Sequence, residues 1–150
     1  KKKTSFKTKF ENFEGDFREW VIKKIDSHVG NHDWFNSEFS NNISNWEKNA
    51  SKWKTEKGEE RKLWTFLGFN QLIELASKEK GPINFWEEIF KKHIEESGFI
   101  EKSFWVRSMN NMSQPRNPKS HGVKGVTLKF NKEMERFERD LDTMIELINN

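Results

Sequence analysis

One hundred and fifty residues are enough for a single domain with a continuous core, and 14 Phe and seven Trp supply its bulk although 34% of the residues are charged. The absence of Cys excludes a disulfide framework, a thiolate nucleophile and a Cys-based zinc site. No apolar run approaches a membrane span or the core of a secretory signal, so no membrane partner is expected and the cytoplasm is the default location.

Lys1-Lys2-Lys3 reads as a solvated tail or a linker remnant covering residues 1–5, ahead of one domain whose ordered part spans about residues 10–148. Phe10, Phe13, Phe17, Val21 and Ile25 step by three and four before Gly30-Asn31, which predicts a first helix over about 6–29. Phe35, Phe39, Ile43, Trp46, Ala50 and Trp53 keep nearly the same period and predict one second helix running to the charged stretch around Gly58. Leu63 to Ala76 is apolar around most of its circumference, as expected of a third, central helix ended by Gly81-Pro82. Asn84 can cap a short fourth helix containing Phe85, Trp86, Ile89, Phe90 and Ile94, with Gly98 as its stop. Phe104, Trp105, Met109 and Met112 mark the inner face of a fifth, and Met134 to Ile148 a last helix from about residue 131. Only Val123 to Phe130 has a weak extended or loop character. The expected fold class is all-α, an up-and-down bundle of five or six helices.

Charge is distributed unevenly along this chain. Residues 102–132 hold seven of the 27 basic side chains and none of the 24 acidic ones, so this segment carries +7 and the rest −4. Phosphate is the guest such a segment suits. Near its centre lies Arg116-Asn117-Pro118-Lys119-Ser120-His121-Gly122. Pro118 would collide with the carbonyl of Gln114 in a helix, and Pro115 pushes Gln114 out of helical geometry, so a break is expected there. Five residues apart on a continuous helix, Arg116 and His121 would not share a face; the break lets them converge. Imidazole can take and give a proton at neutral pH, and guanidinium can hold phosphate oxygens as charge builds on them. Together they suffice for attack of a ribose 2′-hydroxyl on its adjacent phosphate, with no metal and no cofactor.

The heptad Arg116 to Gly122 resembles the Arg-polar-x3-His signature of the HEPN superfamily, small helical bundles that include many RNases. Glu14-x3-Arg18-x-Trp20-x-Ile22, Asp33-Trp34, Leu72-Ile73 and Asn84-Phe85-Trp86-x3-Phe90 are similar to the HEPN branch found at the ends of larger RNA-processing and antiphage proteins. The resemblance covers about residues 10–148. It implies that Arg116 and His121 are catalytic, that Asn117 assists, and that an acidic residue of the first helix, here Glu14, contacts Arg116. It also implies a homodimer with two motifs facing one another, RNA as substrate, and a role in phage defence or a toxin–antitoxin pair, with a fused sensor domain or an antitoxin as further partners. Lys119, Lys124 and Arg107 are the candidate RNA-binding residues.

Blander readings stand beside this one. Arg116 and Glu14 can form a purely structural ion pair, and the domain can be a non-catalytic HEPN module that dimerises or binds RNA or nucleotide. The basic segment can equally dock an acidic protein on a helical adaptor. His28, His32 and His93 lack metal-like spacing and are expected at the surface or at helix ends. Most of the seven Trp, at helical spacing, are expected in the core.

Overall fold

A computed structural model describes residues 5–114 and 124–150, and among these every regular element is helical. Helix α1 spans Phe6–Val29, capped by the Ser5 side chain and ended by Gly30 in the left-handed region. Its three-and-four stripe buries Phe10, Phe13, Phe17, Val21, Ile22 and Ile25. These form the spine of the core, since α1 packs against the helix Phe69–Ser77, the segments on either side of it and the last helix, Lys124–Asn149.

The expected second helix is two helices. Short α2, Trp34–Glu38, and α3, Ile43–Lys57, are separated by Phe39 to Asn42. Ser40, Asn41 and Asn42 compete with helical hydrogen bonding through their side chains, and the chain turns there even though the aromatic spacing runs on. The turn still keeps rings together: Phe35, Phe39 and Trp46 lie within 5.0–5.9 Å of one another. Beyond Trp46, α3 buries nothing, and Ala50 and Trp53, which continue its stripe, are only half-buried. Trp53 instead lies under the Arg61 guanidinium, 3.8 Å from its ring centre.

Leu63 to Ala76 is likewise interrupted, by a 3-10 turn over Leu63–Phe66 and an extended Leu67-Gly68 before α4, Phe69–Ser77. Gly68 donates its amide to the Gln71 side chain, which fixes the start of α4. The all-round apolar character comes from two elements with different inner faces. Leu63, Trp64 and Phe66 are half-buried, whereas Phe69, Leu72, Ile73, Leu75 and Ala76 are buried.

Asn84 caps the next helix as expected. Its side chain accepts from the Glu87 amide at 2.9 Å, and Glu88 accepts in return from the Asn84 amide at 3.0 Å. This helix opens with a π-helical turn, Trp86–Phe90, and continues as α5, Lys91–Glu96. Helix α6 spans Lys102–Ser113 and buries Trp105, Met109 and Met112, but Phe104 is 47% exposed and faces away from the core. The last helix, α7, covers Lys124–Asn149 and so begins well before residue 131. Val126, Phe130, Met134, Phe137 and Leu141 continue one helical period, which accounts for helix where an extended segment was an alternative.

The core is dominated by rings. Phe69 on α4 contacts Phe10 at 4.9 Å and Phe17 at 5.9 Å. Trp105 on α6 stacks on Trp86 at 5.8 Å and meets Phe17 at 6.4 Å. Trp34, Trp46, Trp86 and Trp105 are buried; Trp20 and Trp64 are half-buried against the core. No described helix is long and apolar enough to cross a membrane.

Candidate functional site

Arg116, Asn117, Lys119 and His121 lie outside the described residues; the elements that bracket them do not. Ser108 on α6 donates to Asp140 on α7 at 2.6 Å, and Trp105 donates its indole N–H to the Met144 sulfur at 3.4 Å. Higher numbers on one helix face lower numbers on the other, so α6 and α7 are antiparallel and residues 115–123 connect them. At this register the end of α6 at Ser113 is level with about residue 135 of α7. The first ten or so residues of α7 therefore extend beyond α6, by roughly 15 Å at 1.5 Å per residue. Lys124 is the first residue of this extension and exposed Lys132 lies within it.

Glu14 lies on α1. Its Oε2 accepts from Arg18 Nη2 at 2.9 Å, and Arg18 Nε donates to the Leu67 carbonyl at 3.0 Å. With only 15% of its side chain exposed, Arg18 ties α1 to the chain just ahead of α4. The end of α6 approaches the same region, because Ser113 and Gln114 line a cleft with Asn70 and Glu74 of α4. Glu14 is thus found towards the end of the bundle from which α6 leads into residue 115. Its described partner is Arg18, and the four-residue spacing Glu14 to Arg18 on one helix is the sequence signal of this pair.

Arg107 is exposed on α6 and lines a cleft of about 290 Å³ with Phe104 of its own helix, Ile100 before it, and Arg136 and Asp140 of α7. Its guanidinium lies 5.9 Å from the Phe104 ring centre. Arg136 is a second cation at this cleft that a charge tally misses: it follows Glu133, which ends the carboxylate-free segment, yet antiparallel packing returns it to the level of α6.

The described histidines have local partners. His28 bonds Glu88 at 2.9 Å and His32 bonds Asp26 at 2.8 Å, while Asp26 also accepts from the Trp34 indole at 2.7 Å. The His28 contact, reinforced by the Asn84 amide, holds the Glu88 carboxyl below its usual value. His93 stands edge-on to Trp20 at 6.0 Å, and burial, with the charges of Lys24 and Lys92, depresses its pKa. No group of three potential metal ligands occurs among the described residues. Comparisons of the chain with family models, with curated proteins and with solved structures found no match.

Proposed function

We propose that this chain is a HEPN-type, metal-independent endoribonuclease that cuts RNA by 2′-hydroxyl transesterification at a site shared by two copies, in phage defence or a toxin–antitoxin pair. The observation that carries the reading is the coincidence, in one carboxylate-free +7 segment, of Arg116, Asn117 and His121 with Pro115 and Pro118. His121 acts as general base and acid, Arg116 steadies the charge on the phosphorane, Asn117 positions, and Glu14 orients Arg116. Lys119, Lys124 and Arg107 hold the RNA backbone.

A second reading has an observation in its favour. Glu14 already holds Arg18 at 2.9 Å, so the acidic residue of the first helix has a structural task that does not involve Arg116. This suits a HEPN module that dimerises or binds RNA without cutting it. Incubating the protein and His121→Ala with total RNA in EDTA separates the two. The nuclease reading expects cleavage by the parent alone; intact RNA with salt-sensitive binding is the result of the silent module.

A further inference from the structure

Ile100, 79% exposed, and Phe104, 47% exposed, are the large apolar side chains that stand out from the described surface, and both line the α6–α7 cleft. Two apolar side chains left in water at the rim of one cleft, with cations on both sides, mark a binding surface more than an unfinished core. Arg107 and Arg136 flank it from the two helices, and neither forms an ion pair with a described residue. On the floor, Asp140 accepts the Ser108 hydroxyl through Oδ2 at 2.6 Å, while its Oδ1 makes no hydrogen bond with a described residue.

From this set we infer that the cleft is a subsite for one nucleotide of a single-stranded RNA, selective for a base with an exocyclic amine. The inference rests on the RNA reading above and extends it to the described cleft between α6 and α7. A base has a flat face, and the Phe104 ring offers it an exposed platform. Arg107, from the basic run of residues 102–132, and Arg136, beyond it on α7, supply counter-charge for the flanking phosphates. At about 290 Å³ the cleft suits one nucleotide, near the lower end of the roughly 300–1,000 Å³ of small-ligand sites. Selectivity follows from Asp140. A carboxylate oxygen accepts from the amine of cytosine, adenine or guanine, whereas uracil presents an imide N–H between two carbonyls that repel it.

The test uses binding rather than cleavage, on a His121→Ala background, with fluorescent ten-nucleotide oligocytidylate and oligouridylate at low salt. Oligocytidylate is expected to bind about tenfold tighter. Phe104→Ala should weaken both ligands about tenfold and leave their ratio unchanged. Asp140→Asn, which keeps an acceptor for Ser108 but adds an amide donor, should bring the ratio close to one. Arg136→Gln should weaken both and lower the salt dependence. Arg61→Gln, on the distant Trp53 surface, is the control and should bind like the parent. Binding by the parent that is indifferent to Phe104, Asp140 and Arg136 overturns the subsite and leaves the RNA reading standing; no RNA binding by any protein overturns both. A change in sedimentation of the cleft variants with unchanged RNA binding assigns the cleft to a second copy of the chain and also overturns the subsite.

Discussion

Arg18 is the residue whose setting most constrains the account. Its guanidinium satisfies both Glu14 and the Leu67 carbonyl from a nearly buried position, so Arg18→Met leaves an acceptor and a carboxylate without their partner. A loss of about 1–3 kcal/mol in denaturant unfolding is expected. Glu14→Gln retains an acceptor for Arg18 and should cost less than 1 kcal/mol by the same argument. If Glu14 also orients Arg116, cleavage falls at least tenfold in Glu14→Gln while unfolding barely changes; activity equal to the parent removes Glu14 from the mechanism. His93 gives a pH-dependent prediction. Its folded pKa is depressed, first by burial and then by Lys24 and Lys92, so the contribution to stability is complete above the ordinary histidine value and is lost as pH falls through the folded value. An NMR titration should place His93 below about 6.5. His93→Gln should flatten the fall in stability on its acid side.

At the scale of elements, helices α1 and α6 were legible because apolar residues at three-and-four spacing coincide with explicit stops, Gly30 for one and Pro115 for the other. Where the sequence misled, periodicity ran through a turn. Phe35, Phe39, Ile43 and Trp46 fit one helix by spacing, yet Ser40-Asn41-Asn42 turn the chain between α2 and α3. Leu63 to Ala76 reads as one helix buried all round, but Gly68 divides it, and two half-faces add up to a full apolar circumference. Phe104 is expected on the inner face with Trp105, Met109 and Met112, yet neighbours in sequence lie about 100° apart on a helix, and Trp105 turns inward while Phe104 turns out. Arg136 falls outside the linear basic run for a related reason: a charge count along the sequence cannot bring α7 back alongside α6. That pairing depends on Trp105, which is fully buried, stacks on Trp86 and reaches Met144. Trp105→Ala should cost about 3–5 kcal/mol, measured by chemical denaturation, while Trp105→Phe keeps most of the ring and should cost clearly less. Equal losses in both would mean that the indole bond to sulfur, rather than ring packing, carries the contact.

For the whole molecule, the decisive feature is that a formal charge of only +3 divides into +7 over residues 102–132 and −4 elsewhere. On the proposed RNA reading, binding to single-stranded RNA should be steeply salt-dependent. Each contacted phosphate adds about 0.7 to the slope of log affinity against log salt, and Lys119→Ala and Lys124→Ala should each remove about that much. The same division bears on assembly. A composite site requires two copies to bring like-charged segments together, so sedimentation should show dimer gaining over monomer as salt rises or when RNA is added; a strict monomer under both conditions would exclude the shared site. The most direct measurement is of the bond that breaks. An oligoribonucleotide incubated with the protein in EDTA should yield fragments ending in 2′,3′-cyclic phosphate, and the same strand with 2′-O-methyl riboses should remain whole. Cleavage of the methylated strand, or an untouched ribonucleotide strand, would contradict the mechanism built on Arg116 and His121.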